Sequence, residues 1–200
     1  MHPDQARWNH RYAQQGLKSF GRTASEWLIQ HKDLLMQQTK GPALDLACGN
    51  GRNAFYLAQL GFVVDAVDIS DVAIQWVQKQ AISQQLAVRA IHANLEESEL
   101  PRPAYELIIG FNYLQRTIFP RLISSLAPNG LLIYQTRYLD EIRILKREAN
   151  PAYLLGYNEL LDHCQGLRVL HYQESIQQVG PSQRQKALAS IVARNSTFSD

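Results

Sequence analysis

Two carboxylates and two glycines make up the pattern in this sequence with the clearest chemical potential. The stretch Ala43-Leu44-Asp45-Leu46-Ala47-Cys48-Gly49-Asn50-Gly51-Arg52-Asn53-Ala54 reads as an apolar strand, a small-residue loop and the first turn of a helix. Apart from Asp45 the strand does not alternate, which suits a central parallel strand buried on both faces. Gly49 and Gly51 let a ligand come close to the backbone without side-chain bulk. A helix that starts out of such a loop turns unpaired N–H groups and a positive dipole end toward whatever lies above the strand. The next apolar run, Phe62 to Val67, ends on a second carboxylate, Asp68. The two elements together read as a nucleoside-binding unit.

Two nucleoside classes fit that unit. Gly49-Asn50-Gly51-Arg52-Asn53-Ala54 satisfies the relaxed dinucleotide fingerprint G-x-G-x-x-A, with Asp68 as the ribose acid. That keeps an NAD-dependent Rossmann oxidoreductase as an alternative. Asp45 argues against it, because a carboxylate at the strand end repels a pyrophosphate and suits an ammonium. The whole segment resembles motif I of the class I S-adenosylmethionine (SAM) methyltransferases, with Ala47 where a glycine is frequent. The resemblance implies that Asp45 faces the methionine ammonium and Arg52 the methionine carboxylate. It further implies a cofactor lining of Ala47, Cys48, Gly49, Gly51 and Asn53, and ribose contacts at Asp68 and Ile69. Asn94 and Leu95 would then lie by the adenine, with the Asn94 amide oxygen toward its amino group, and Phe111 would complete the site. Arg7-Trp8-Asn9-x-Arg11-Tyr12, followed by Phe20-Gly21, is similar to the N-terminal segment of small bacterial methyltransferases of the tellurite-resistance and thiopurine type. In those relatives the segment closes over SAM and substrate, which would add Trp8 and Arg22 to the cofactor contacts. Trp8 and Tyr12 could equally anchor a terminal helix to the core.

The elements that must position these residues alternate as an α/β chain does. Gln5 to Ala13 reads as a short helix stopped by Gly16, and Ser25 can cap a helix carrying Trp27, Leu28, Leu34 and Leu35. The helix from Arg52 directs Phe55, Leu57, Ala58 and Leu60 to a core. Ser70 caps a helix over 71–84, and Val88 to His92 alternates like a third strand. His92 reads as structural rather than as a base. The fourth strand, Tyr105 to Phe111, delivers Tyr113 and Arg116 to the sheet's carboxyl end, where open α/β sheets place ligands. These two are the candidate catalytic or orienting residues, with Arg137 and Tyr138 beyond the fifth strand. A helix over 117–126, a turn at Pro128-Asn129-Gly130 and a fifth strand over 131–135 follow. The charged stretch 136–150 reads as a solvated helix on the rim. A helix near 158–164 and two closing strands, 167–173 and 186–193, joined through Gly180-Pro181, complete the chain. The expected fold is α/β, Rossmann-like and doubly wound. It has a mostly parallel seven-stranded sheet, an antiparallel terminal strand and helices on both faces.

Two hundred residues, 46% of them apolar, suit one domain that buries roughly 70% of its unfolded surface. Its parts would be an N-terminal helical lid (1–40), a cofactor-binding core (41–135) and a rim segment with closing strands (136–200). A net charge of +2 argues against nucleic-acid and membrane partners. Cys48 and Cys164 show neither metal nor redox spacing, so no metal is expected. No signal peptide or apolar run of about 18 residues is seen, so a cytoplasmic protein is expected. There is no Asn/Asp-Pro-Pro-Tyr signature of adenine-amino methylation and no Pro-Cys nucleophile for cytosine. The expected activity is methyl transfer from SAM to a small-molecule acceptor, a thiol or chalcogen compound among the candidates. A non-catalytic SAM- or SAH-binding module is a further alternative.

Overall fold

A computed structural model describes residues 2–179 and 184–196. Seven strands form one sheet in the order β3-β2-β1-β4-β5-β7-β6. They are β1 (Pro42–Leu46), β2 (Val63–Asp68), β3 (Val88–His92), β4 (Tyr105–Phe111), β5 (Leu126–Arg137), β6 (Arg168–Val179) and β7 (Arg184–Arg194). The first five pair in parallel, and β7 runs against both of its neighbours. The helices are α1 (Pro3–Gln15), α2 (Glu26–Gln30), α3 (Lys32–Gln37), α4 (Arg52–Gln59), α5 (Asp71–Ser83), α6 (Phe119–Ser124), α7 (Asp140–Arg143) and α8 (Glu159–His163). The sheet is Rossmann-like, with helices on both faces.

Period-two alternation assigns the two faces. Ala43, Val64, Ala66, Leu107, Ile109, Ile133 and Val192 pack under Trp27 and Leu28 of α2, Leu35 of α3, Leu57 of α4 and Val77 of α5. Leu44, Leu46, Ile108, Leu132, Tyr134 and Ile191 pack under Phe119 and Leu122 of α6 and Leu160 of α8. Both faces of the central strands are therefore dry, which is why their sequences read as apolar runs. Strand order reverses between β1 and β4, so a crevice opens above their carboxyl ends.

Several elements differ from the sequence expectation. The helix after Ser25 is two short helices broken at His31, whose Nδ1 lies 2.7 Å from the Trp27 carbonyl. Ser25 caps nothing with its hydroxyl, because that oxygen takes a hydrogen bond from Arg52 instead. On α4, Ala54 and Leu57 are buried with Asn53, whereas Phe55 and Leu60 are only half-buried. Pro128-Asn129-Gly130 is a bulge inside β5: pairing jumps from Tyr105↔Leu126 to Leu107↔Leu131, with Asn129 at φ 62°. The expected helix over 117–126 is shortened by a 3-10 turn over Arg116–Ile118.

The charged segment 136–150 is not a solvated helix. Strand β5 runs on to Arg137, and the helix that follows, α7, is four residues long and buries Asp140 and Glu141. Glu141 accepts the Ala187 N–H at 2.9 Å and pairs with Arg147, while Asp140 accepts the Tyr157 hydroxyl. Glu141 thus splices the rim to β7, and Asp140 ties α7 to Tyr157. The closing strands are longer than expected, and Gly180-Pro181 lies outside the described residues.

One buried charge holds the β2–β4 side of the sheet together. The Asp65 side chain, with no exposed surface, accepts from Arg89 Nε and Nη2 (both 2.9 Å), Arg102 Nε (2.8 Å) and the Tyr105 hydroxyl (3.0 Å). Burial alone would raise its carboxyl, but the Arg102, Arg89 and Tyr105 hydrogen bonds outweigh it and hold the pKa below the ordinary value. Asp65 therefore stabilises the fold above the unfolded carboxylate pKa of about 3.9. That contribution is lost as pH falls toward the lower folded-state value. Asp65→Asn should cost about 3 kcal/mol at pH 7, measured by urea unfolding. It should also make stability fall less steeply than in the parent below pH ~4.

Candidate active site

Three left-handed residues fold the β1–α4 loop over the strand end. Ala47 stands at φ 50°, Gly49 at φ 56° and Gly51 at φ 78°. The Cys48 N–H reaches the Val67 carbonyl (2.9 Å), and the Gly51 N–H the Cys48 carbonyl (3.0 Å). A Cβ on Gly51 would stand 2.8 Å from Phe55 and 2.9 Å from Val77, so this glycine is needed for packing as well as conformation. A Cβ on Gly49 would come within 3.1 Å of the Tyr12 hydroxyl. Cys48 is buried, and burial, then Asp68 and Asp45, push its thiol well up, so it stays protonated.

The two carboxylates lie at neighbouring strand ends. Asp45 is 1% exposed, and its Oδ2 has no hydrogen-bond partner among the described residues. Burial drives its pKa up to about 8 against the Ala54 N–H and the charge of Arg52, with Asp68 adding to the rise. Asp68, 4% exposed, accepts the Gly49 N–H on Oδ2 and the Ser70 N–H on Oδ1, both at 2.8 Å. Burial still raises its pKa above the usual value despite the Ser70 and Gly49 bonds. Each oxygen keeps a second lone pair for a ligand hydroxyl. An orphaned buried carboxylate oxygen fits an ammonium, and a carboxylate with free lone pairs fits a ribose, so the residues present fit SAM.

Arg52 donates to the Thr23 carbonyl (3.4 Å) and the Ser25 hydroxyl (3.2 Å). Asn53 is turned inward, its oxygen accepting the Ser25 N–H at 2.9 Å. Together they tie the loop at 21–25 to the start of α4. Asn50 adds bonds to the Leu17 and Gly21 carbonyls. Helix α1 lies across the loop: Trp8 stacks on Tyr12 (5.5 Å between centroids), and Tyr12 meets Phe20 edge-on (5.1 Å). Asn9 bridges Asp71 and Ser70, and Gln5 reaches Asp71 and His92. His92 thus holds α1 and the Ile69 carbonyl (2.9 Å). Arg22 is exposed in the turn after Gly21.

Asn94 is oriented opposite to the sequence expectation. Its Oδ1 accepts the Glu96 N–H at 3.1 Å, which fixes the amide orientation, and its Nδ2 is the buried atom without a partner. It therefore offers a donor, suited to a ring nitrogen rather than an amino group. Leu95 is buried beside Val67 and Leu46, and Phe111 sits among the residues under α2 to α5.

Tyr113 is half-buried, its carbonyl held by the Tyr134 hydroxyl at 2.8 Å. Burial, then Glu96, raise its hydroxyl far above the ordinary value, making it a donor and not a base. Arg116 does not stand free. It makes a two-point bond to Glu159 and donates to the Ala152 and Leu154 carbonyls, each at 2.9 Å. Burial would raise Glu159, but Arg116, the Gly156 N–H and His163 bring it to about 2. Arg116 is thus a brace between the β4 end and the rim.

Ala47 holds a backbone conformation that costs an L-residue about 1–2 kcal/mol. Ala47→Gly should remove that strain, leave melting unchanged or up to ~1 kcal/mol more stable after the entropy cost of glycine, and preserve ligand affinity. Thermal unfolding with calorimetry checks both.

Among the described residues, no helix is long and apolar enough to cross a membrane. No group of three His, Cys, Asp or Glu side chains among them could hold a metal. The chain is 31% identical over 99 residues to an uncharacterized methyltransferase, YodH, of Bacillus subtilis, a match covering 46% of this chain and 41% of that one. It therefore spans less than half of that curated relative. Its fold superposes on TehB from Haemophilus influenzae with TM-score 0.73 at 17% identity, covering 94% of this chain and 67% of that one. An S-adenosylmethionine-dependent methyltransferase from Clostridium acetobutylicum superposes with TM-score 0.70 at 14% identity, covering 96% and 99%. The family described as tellurite resistance protein TehB matches residues 28–186, most of the sheet and every strand-end residue of the crevice, and the chain belongs to that family.

Proposed function

We propose that this protein transfers the methyl group of SAM to a small-molecule acceptor. The observation that carries the proposal is the partnerless buried oxygen of Asp45 one strand from Asp68. That arrangement suits an ammonium beside a ribose, and it disfavours the pyrophosphate an NAD-dependent oxidoreductase would need to hold. Asp45 would bind the ammonium, Asp68 the ribose hydroxyls, and the Ala47, Cys48, Gly49 and Gly51 backbone the nucleoside's flank. Trp8, Arg22, Arg52, Asn53, Ile69, Asn94, Leu95 and Phe111 would surround them. Arg52 and Asn53 act through the loop at 21–25, and Asn94 gives its amide N–H to the adenine ring.

SAM, when bound, supplies a methyl already activated on a sulfonium. The chain's own work is then alignment and exclusion of water, which can be worth on the order of 7–11 kcal/mol. Tyr113 would orient the acceptor by donating its hydroxyl, and the Arg116 brace would hold the rim against it. Residues 2–23 are the proposed lid. This is narrower than the expected 1–40, because Trp27, Leu28 and Leu35 pack in the core. A thiol or other soft chalcogen acceptor fits a site with no positioned base among the described residues, since such a nucleophile needs little proton removal. The match to the TehB family supports the same choice, and a cytoplasmic setting is proposed with it.

Three outcomes test this function. Labelled SAM should yield labelled product with small thiol, selenium or tellurium compounds and none with DNA, RNA or protein. Methylation of a macromolecule alone would overturn the substrate class, and binding of SAM without any transfer would favour a binding module. Arg116→Gln should lower turnover about tenfold or more while leaving the SAM dissociation constant within about twofold, since the brace acts on the rim.

The pH dependence follows from Asp45. An ammonium needs the ionised carboxylate, whereas a carboxyl with a pKa of about 8 is mostly protonated at pH 7. SAM binding should therefore release a proton, and affinity should rise from pH 6 toward 8. There the ligand's own α-amino group begins to deprotonate. Calorimetry in two buffers of different ionisation enthalpy should show that release in the parent and not in Asp45→Asn.

A further inference from the structure

The buried Asn94 Nδ2 has no partner among the described residues, and a turn fixes its direction. Asn94 follows β3 at the carboxyl end of the sheet, where His92 pairs with Asp68. Its Oδ1 accepts the Glu96 N–H at 3.1 Å, and its carbonyl accepts the N–H groups of Glu97 (3.1 Å) and Ser98 (2.8 Å). Three backbone donors of the 94–98 turn are thus folded onto one residue. An asparagine amide has a donor end and an acceptor end of nearly the same shape. Which end faces outward is decided by the partner that holds the other, here the Glu96 N–H. If the turn loosens, the amide is free to present either end.

The turn is held from a distant element. Arg121 of α6 donates from Nη2 to the Leu95 carbonyl at 2.6 Å and from Nη1 to the Ser98 carbonyl at 2.8 Å. These bonds span 26 and 23 residues of chain. Glu96, Glu97 and Glu99 stand exposed in the same loop, but the half-buried guanidinium spends its fork on the two carbonyls. A guanidinium carries its donors in a rigid plane, so two bonds to one turn set its orientation as well as its distance. Leu95 packs in the core with Phe119 and Leu122 of the same helix. That packing anchors the turn at one end, and the bond to Ser98 fixes the other. The rigidity of the core thus passes through Arg121 to the turn, and through the Glu96 N–H to the Asn94 amide.

We propose that Arg121 is a positioning residue for the nucleobase, a reading that rests on the function proposed above for the identity of the ligand. By clamping the 94–98 turn onto α6 it keeps the amide N–H of Asn94, and not the oxygen, toward the crevice. The site thereby selects a base that presents an accepting ring nitrogen at that point.

The probes are SAH and its 1-deaza, 3-deaza and 7-deaza analogues, each of which replaces one accepting ring nitrogen by C–H. They are titrated by calorimetry into the parent, Asn94→Ala, Arg121→Met and Arg121→Lys. The parent should bind one of the three analogues about tenfold more weakly than SAH. Asn94→Ala should bind that analogue and SAH alike, which identifies the amide as the group that reads the nitrogen. Arg121→Met should lose most of the discrimination, and Arg121→Lys, with a point charge in place of the fork, should keep only part of it. In the free proteins, amide hydrogen exchange at Glu97 and Ser98 should be several-fold faster in Arg121→Met than in the parent, with exchange in β4 unchanged. A folded Arg121→Met that keeps both the discrimination and the protected Glu97 and Ser98 amides would overturn the positioning role and leave the proposed function standing. Should Arg121→Met fail to fold, full discrimination by Arg121→Lys would overturn it equally. Equal binding of all four ligands by the parent would overturn the selection of a ring nitrogen. Failure of the parent to bind any of them would overturn the proposed function, while faster Glu97 and Ser98 exchange in the variant would still uphold the clamp.

Discussion

The sharp exit of the chain from β1 governs the rest of the molecule. Between Leu46 and Arg52 the backbone must leave a strand buried on both faces and enter a helix on one of them. It does so through left-handed turns at Ala47, Gly49 and Gly51. That route brings the Gly49 N–H onto Asp68 and the Cys48 N–H onto the end of β2. The turn is locked to the neighbouring strand before any ligand arrives. The same route encloses Asp45 so completely that one carboxylate oxygen is left with no donor. A buried acid in that state costs the fold free energy, and a cation delivered to it recovers that cost. Under the proposed function, the stability given up at the loop is what a ligand ammonium would recover as affinity.

The reversed strand β7 works on the same crevice from the other side. In a purely parallel sheet, every strand would present its carboxyl terminus above the crevice. Because β7 runs backward, its amino end stands there instead. The strand then continues as the buried run Ala187 to Ala193, whose residues belong to the clusters on the two faces of the sheet. Glu141 closes the join by accepting the Ala187 N–H, so the strand's entry point into the sheet is fixed. The rim depends on a similar buried or half-buried acid at each joint: Asp140, Glu141 and Glu159 each tie one segment to the next.

The sheet and the loop were legible in the sequence for one physical reason: a strand dry on both faces must be apolar throughout. Pro42–Leu46, Val63–Asp68 and Tyr105–Phe111 could each be read from that rule to within a residue or two. The glycine spacing then located the turn. The 136–150 segment was misread because charge was taken as a sign of solvent. Asp140 and Glu141 are buried through partners contributed by Tyr157, Arg147 and β7, which lie 6 to 46 residues away and carry no local signal. Asn94 was misread for a similar reason. Which amide atom faces a ligand depends on the backbone N–H two residues on, and that is a matter of turn geometry. Arg116 looked like a free cation because Glu159 is 43 residues distant.

The energetics separate the N-terminal region into two parts that a sequence reading joins. Helices α2 and α3 are held by Trp27, Leu28 and Leu35, apolar side chains that share the central core with the sheet. Burying such residues is worth about 1.5–3 kcal/mol each, so this part opens only when the domain does. Helix α1 is attached differently. Tyr12 is its one buried residue, packed in a small cluster with Leu17 and Ala73 that Trp8, Phe20, Val72 and Trp76 flank; the rest of its attachment is polar: Asn9 and Gln5 on Asp71 and Ser70, and Arg7 over Tyr153. Polar bonds of this kind exchange with water at a net cost of about 1 kcal/mol each. Local opening free energy follows buried apolar contact, which puts α1 at the weak end of the fold. The segment lying over Gly49 is therefore held by a smaller apolar cluster than α2 and α3, which share the central core with the sheet.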